Sequence, residues 1–340
     1  RKTDLAERVL AEGEARLKID AFALTANNVT YAAFGEAMKY WDFFPASDAA
    51  HGRVPVWGFA DVVESRAEGV AVGQRVYGYF PMGTELIVSP GRIGPDGFSD
   101  IAPHRQHLSP IYNRYTVTKT DLAYQPAREA EQMLYRPLFM TAFLLDDLIA
   151  EHSPDEKDQL VLSSASSKTA FALAALAASR GVRVVGLTSR GNVDFVTGLG
   201  VYGEVIAYDE IRTLSPDQSV YVDFMGNAAI TRQVHDRLGD TLKLSLVVGA
   251  TDWDAPRDGA PTSGPRPVFF FAPDQGQKRN KEWGAERFAR NIAAALHTFF
   301  DRSEGWLKIE TVNGPDAMAR AWKETVNGKV APDRGIIVRP

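Results

Sequence analysis

The chain has 340 residues, 45% of them hydrophobic and 24% charged, with a formal net charge of −5 and no cysteine. That length favours two domains over one, and the mildly acidic balance argues against nucleic acid or anionic membrane as the main partner, while local basic clusters could still bind a phosphate. The absence of cysteine excludes disulfides, thiol nucleophiles and cysteine zinc sites.

Residues 1 to about 125 alternate strand patterns with Gly, Pro and Asn turns; ARLKIDAFAL, VWGFADVVES, QRVYGYF and TELIVSP predict an antiparallel, barrel-like unit with little helix. Residues 126 to about 150 switch to helical periodicity, in which Pro137 predicts a break before a second helix from Met140. From Gln159 to about Phe271, the apolar runs QLVL, VRVVGL, EVIAY, SVYVDFM, LSLVVGA and PVFFFAP alternate with helical segments. Such runs predict a parallel sheet covered on both faces. Residues 284 to 302 read as an amphipathic helix, and 306 to 340 return to strand, helix, strand. A nucleotide domain inserted before the end of the first domain explains that return. The expected domains are 1–125 with 273–340, and 126–272. No apolar run reaches the roughly 18 residues of a membrane span, and a cytoplasmic protein is expected. The chain starts at Arg1 rather than methionine, so residues upstream are expected.

The stretch LVLSSASSKTAFALAALAASRGVRVVGLTSR, Leu160 to Arg190, carries the most chemical information. It reads as strand, tight turn, helix, strand, the first half of a dinucleotide-binding unit whose helix N-terminus faces a pyrophosphate. Where G-x-G-x-x-G is expected the chain has Ser164, Ser166 and Thr169. Ser166, Ser167 and Thr169 offer hydroxyls in place of glycine's close backbone approach. Lys168 opposes the helix dipole by roughly 0.3–1 kcal/mol, a penalty that a bound phosphate turns into attraction. The second strand ends in Ser189-Arg190 with no acid before Asp194. That predicts NADP rather than NAD, with Ser189 and Arg190 on the 2′-phosphate. Gly226, Gly249 and Thr251 follow later strands at the ends where such sheets bind ligands, and Phe271 ends the last one. A rival reading places Lys168 and Thr169 in a triphosphate-binding loop with Asp223 on the metal, but Leu162 and Ser167 replace both of its glycines.

Three further stretches carry a family resemblance. ALTANNVTYAAFGE, VPVWGFADVVESRAEGVAVGQRVYGYF and VNGPDAMARAWKETVNGKVAPDRGIIV resemble, in order and spacing, the medium-chain dehydrogenase/reductase superfamily, with Gln74 where the family has Asp. NNVTYAAFGEAMKYWDFFPA and YRPLFMTAFLLDD point to a bacterial branch known as a domain of unknown function. The resemblance implies an α/β fold: a GroES-like antiparallel barrel domain plus a Rossmann-type parallel sheet domain. It is nearest to the zinc-free quinone and enoyl reductases. The six histidines show no spaced metal cluster; His104 and His107, in PHRQHLSPIYNRY, sit in the most unusual segment.

In such relatives, substrate and nicotinamide meet near an early Asn, here Asn27, and a Thr before the central helix, here Thr141, while Tyr208 sits near the adenosine phosphate. A tyrosine hydroxyl then serves the developing oxyanion. The candidates are Tyr40 and Tyr31, with Tyr112, Tyr115 and Asn113 as alternates; the glycine that precedes the matching tyrosine of some enoyl reductases is absent before Tyr40. The aromatic runs YWDFFP and VFFFAP favour a bulky apolar ketone, quinone or enone, although buried aromatics are more often core. Relatives also pair through the last strand of the nucleotide domain, which makes a homodimer an expectation. The expected activity is NADPH-dependent reduction of a carbonyl or activated alkene. The alternative is a reductase-like scaffold that has lost its nucleotide and binds a ligand or performs non-redox chemistry.

Overall fold

In a computed structural model, residues 8–46, 48, 51–152, 158–248 and 263–340 are described. They form two compact units, 1–136 with 307–340, and 137–306. The first opens with β1 (Ala15–Leu24), α1 (Ala26–Ala33), β2 (Pro55–Ser65), β3 (Arg75–Pro81), β4 (Glu85–Val88), β5 (Pro90–Gly94), β6 (Gly97–Asp100) and β7 (Arg114–Val117). Helix α2 (Glu129–His152) leads to β8 (Gln159–Leu162), α3 (Lys168–Ser179), β9 (Val184–Thr188), α4 (Val193–Gly198), β10 (Glu204–Ala207), β11 (Ser219–Asp223), α5 (Ala228–Leu238), β12 (Leu242–Val247) and β13 (Val268–Phe269). Helices α6 (Ala272–Trp283) and α7 (Ala285–Ser303) follow, and β14 (Lys308–Asn313), α8 (Gly314–Val326) and β15 (Arg334–Arg339) complete the first unit.

The first unit is built on a mostly antiparallel sheet in the order β14-β15-β1-β2-β3-β7-β6-β5, with β4 also on β1. Its period-2 pattern sorts side chains to opposite faces. Leu17 and Ile19, Val56, Ala60 and Val62, Val76 and Phe80 share one core with Ile336 and Val338. On the other face, Trp57 pairs across strands with Tyr79 and Phe59 with Tyr77.

The second unit holds an all-parallel sheet in the order β10-β9-β8-β11-β12-β13. Numbered within the unit this is 3-2-1-4-5-6, the Rossmann order, whose switch point lies between its first and fourth strands, here β8 and β11. The expected fold class, an antiparallel sheet domain with a Rossmann-type domain inserted in it, is therefore what the chain adopts. Among the described residues no helix is long and apolar enough to cross a membrane.

Three local expectations are corrected. Helix α2 runs unbroken through Pro137, because its buried Leu134, Tyr135, Phe139, Ala142 and Leu145 offset the roughly 3 kcal/mol that an internal proline costs. Helix α6 forms where no helix was expected, from a segment too polar to show an apolar stripe. Residues 273–306 cluster with the parallel sheet rather than with the first unit. The α7 residues Ile292, Leu296, Phe299 and Phe300 are buried, with the Phe299 ring 5.1 Å from Phe171 and 5.3 Å from Phe139. Conversely, residues 126–136 belong to the first unit, where Glu129 and Arg75 are ion-paired at 2.6 Å.

Candidate functional site

At the switch point of the parallel sheet, a crevice of about 240 Å³ is lined by Ser164, Ser166, Thr188, Ser189, Asn192, Tyr208 and Met225. These residues follow or end β8, β9, β10 and β11 at their carboxyl ends, where doubly wound sheets bind ligands. Ser164 adopts a φ of +48°, the left-handed conformation that costs a non-glycine residue ~1–2 kcal/mol. A serine thus takes, at this turn, the left-handed backbone that glycine adopts without strain. Tyr208 Oη accepts the Ser164 N–H at 2.8 Å, and Asn192 Nδ2 donates to Ser166 Oγ at 3.2 Å.

Beneath the crevice, Ser163 and Asp223 join the ends of β8 and β11. Ser163 Oγ donates to Asp223 Oδ1 at 2.7 Å and accepts the N–H groups of Phe224 and Met225. Asp223 Oδ1 also accepts the N–H groups of Met225 and Gly226, and Oδ2 accepts the Thr231 hydroxyl. With both oxygens occupied, Asp223 is a latch for the switch point rather than the metal holder of the rival reading. Gly226 belongs to that latch. Gly186, which the sequence reading passed over, lets the turn approach β9: a Cβ there would lie 2.9 Å from that of Ala165 and 2.8 Å from the Tyr202 ring. A glycine in the middle of a strand pattern was the available signal.

The remaining cofactor candidates fall around this crevice or outside it. Ser167 caps α3, its Oγ accepting the Ala170 N–H at 3.3 Å, and Lys168 and Thr169 open that helix. None of the three lines the crevice. Arg190 is exposed and paired with Asp209 at 2.7 Å and Glu210 at 3.0 Å. Thr141 donates to the Pro137 carbonyl at 3.4 Å within α2. Phe271, 39% exposed, precedes α6. Gly249 and Thr251 lie outside the described residues.

In the first unit, Tyr31, Tyr40, Phe43, Phe44, Tyr79 and Leu108 form a buried cluster, joined by Phe34, Trp57 and Tyr112. Period 2 on β2 and β3 delivers Trp57 and Tyr79, and α1 places Asn27 one turn before Tyr31. Tyr31 Oη accepts two N–H bonds, from Asn27 Nδ2 at 2.8 Å and Trp57 Nε1 at 3.1 Å. Its ring centroid lies 4.7 Å from that of Tyr40 and 6.3 Å from that of Tyr112, and the Tyr40 and Tyr112 rings lie 5.8 Å apart. Burial raises the pKa of Tyr31, with Tyr40 adding to the effect and the bonds from Trp57 and Asn27 opposing it. Burial likewise raises Tyr40 and Tyr112. All three phenols are therefore protonated at neutral pH.

The other alternates in this region serve the core. Tyr115 is fully buried and pushed up to about 12 by burial; its hydroxyl donates to the Tyr79 carbonyl and accepts from Arg105 Nη1. Asn113 donates to the Arg105 carbonyl. His104 and His107 are exposed. The residue that matters in their segment is Arg105, 1% exposed and paired with Asp100 at 2.7 Å. Sequence reading missed it because arginine is seldom so fully buried. Among the described residues no group of three or more His, Asp or Glu is placed to hold a metal.

The family model described as "Protein of unknown function (DUF2855)" matches residues 22–331. The chain belongs to that family. No curated protein matches the DUF2855 chain in sequence. Its fold is similar to that of CurA from Vibrio vulnificus, solved with NADPH, at 15% identity and TM-score 0.64, covering 99% of this chain and 93% of that one. It is also similar to the yhdH oxidoreductase from Salmonella enterica, solved with NADP, at 14% identity and TM-score 0.57, covering 99% and 94%. The CurK enoyl reductase aligns at 13% identity and TM-score 0.56, over 99% and 94% of the two chains.

Proposed function

We propose that this DUF2855 chain is a zinc-independent, NADPH-dependent reductase of a carbonyl, quinone or activated alkene, with Tyr31 as the proton donor. The observation that carries the reading is the hydroxyl-lined crevice at the switch point of a sheet in Rossmann order. Neighbours in fold solved with NADPH or NADP support it.

The residues present fit a nucleotide. The left-handed backbone at Ser164 preserves the turn, and a 12-residue helix begins just beyond it, so its N-terminal dipole favours phosphate. Ser164, Ser166, Ser189 and Asn192 would hold the phosphates and ribose, with Tyr208 fixing the turn. Lys168 and Arg190 would add charge. When bound, NADPH supplies the hydride. Asn27 and Trp57 fill the acceptor side of the Tyr31 oxygen, which leaves its own proton for donation toward a substrate oxygen, and the Tyr40 and Tyr112 rings pack beside it. The same two N–H groups stabilise the phenolate that donation leaves behind.

NADPH fluorescence is expected to change saturably on titration with the purified protein; no binding at millimolar cofactor would remove the reductase reading and leave the scaffold reading. Arg190→Ala tests cofactor choice. The exposed pairs with Asp209 and Glu210 are weak and screened, so a doubly charged phosphate displaces them. NADPH affinity is expected to fall about tenfold relative to NADH, the lower end for a charge-assisted bond. Equal losses for the two cofactors would show that Arg190 does not read the 2′-phosphate.

A further inference from the structure

Arg53 is half-buried just before β2. Other inward-lying arginines of the first unit meet carboxylates: Arg75 pairs with Asp20, Asp61 and Glu129, and Arg105 with Asp100. Arg53 has no such partner among the described residues. Partial burial of its guanidinium lowers its pKa. Asp48, the carboxylate nearest in sequence, is engaged by His51 at 2.8 Å. A cation taken out of water without an anion is costly, and a polar chain of 340 residues with 43 acids had many ways to supply one.

Its location says what the charge serves. The Met82 N–H donates to the Val54 carbonyl at 3.0 Å, which extends the β2–β3 register by one step beyond Pro55↔Pro81. In that register Arg53 falls opposite Gly83, on the face that carries Trp57 and Tyr79. A Cβ on Gly83 would meet one heavy atom within 4 Å, Arg53 Nη2 at 3.9 Å. Apart from Gly83 and its chain neighbours, no other heavy atom of the described residues lies within 4 Å of that point. From Arg53 to Trp57, which bonds Tyr31, is four residues, roughly 13 Å along a strand.

We propose that Arg53 binds an anionic group, carboxylate or phosphate, carried by the substrate at the far end of a chain whose carbonyl or alkene lies at the phenol cluster. This rests on the reductase reading for the identity of the reacting group, but not for the anion site itself. An Arg fork suits either anion through two parallel N–H bonds.

The test is thermal unfolding of the whole chain in sodium phosphate or glutarate against sodium chloride at matched ionic strength, for wild type, Arg53→Gln and Arg53→Lys, beside NADPH fluorescence titrations. Wild type is expected to melt several degrees higher in phosphate and in glutarate than in chloride, since a ligand bound only to the native state stabilises it. Arg53→Gln is expected to lose most of that difference while melting in chloride no lower than wild type, because the desolvated charge is gone. Arg53→Lys is expected to keep part of it. Any phosphate response from the nucleotide crevice persists in all three proteins and cancels in the comparison. Equal anion responses in wild type and Arg53→Gln overturn the site. A loss of NADPH affinity in Arg53→Gln overturns its assignment to substrate and gives the anion to the cofactor. Failure of wild type to bind NADPH at all defeats the reductase reading instead, and leaves the anion response legible.

Discussion

Asp100→Ala is expected to destabilise the first unit by about 3–5 kcal/mol, the usual result of removing one partner from a buried ion pair. The Asp100 carboxylate accepts Arg105 Nη1 through Oδ2 and the N–H groups of Ser89 and Ala102 through Oδ1. Arg105 in turn holds the Tyr112 carbonyl at 3.0 Å and the Tyr115 hydroxyl at 3.1 Å, and its guanidinium lies over the rings of Phe43 and Phe44 at 5.4 and 5.0 Å. Alanine leaves that cation buried among aromatics with no counter-ion. The loss should appear as a lower urea midpoint, and it should reach the site, because Tyr112 is seated by Arg105. A double variant, Asp100→Leu with Arg105→Met, removes both charges and is expected to recover much of the stability. A urea midpoint unchanged in the single variant would show that the pair is not structural.

Tyr31→Phe is expected to lower turnover of a quinone or enone by about 10²–10⁴-fold, the range for a positioned general acid. The ring and its packing against Tyr40 and Tyr79 remain; only the hydroxyl goes. NADPH affinity is expected to stay as it was, since the crevice is built from the other unit. Stability falls as well, by about 1–3 kcal/mol, because Asn27 Nδ2 and Trp57 Nε1 lose their acceptor. Tyr40→Phe and Tyr112→Phe should cost less, since neither phenol accepts the Asn27 and Trp57 N–H groups. If Tyr40→Phe silences the protein and Tyr31→Phe does not, the order of the two phenols is reversed. Wild-type turnover in both variants would remove tyrosine from the chemistry.

Much of the fold was legible because its signals are local. The apolar runs from QLVL to LSLVVGA became β8 to β12 in order, since a parallel strand buried in a covered sheet needs a continuous apolar run, and PVFFFAP became the exposed edge strand β13. The return of the C-terminal stretch to the first unit was legible from the strand–helix–strand pattern. Pro137 misled because proline's cost is local while the packing of α2 that offsets it is not. Helix α6 was hidden for a related reason: its helical content exceeds its apolar content.

The site divides the same way. The sequence offered a phosphate-type turn between Leu160 and Arg190 and a charge at Arg190 as candidates from neighbouring residues, while Asn27 and the tyrosines came from the family resemblance. Only the tertiary structure decided which groups meet. It set Ser163 against Asp223, 60 residues away, turned Arg190 toward Asp209 and Glu210, put Trp57 on Tyr31, and left Arg53 without an acid among the described residues. Hydrogen-bond partners and counter-ions follow from strand order and register, and those are properties of the packed chain rather than of any stretch within it.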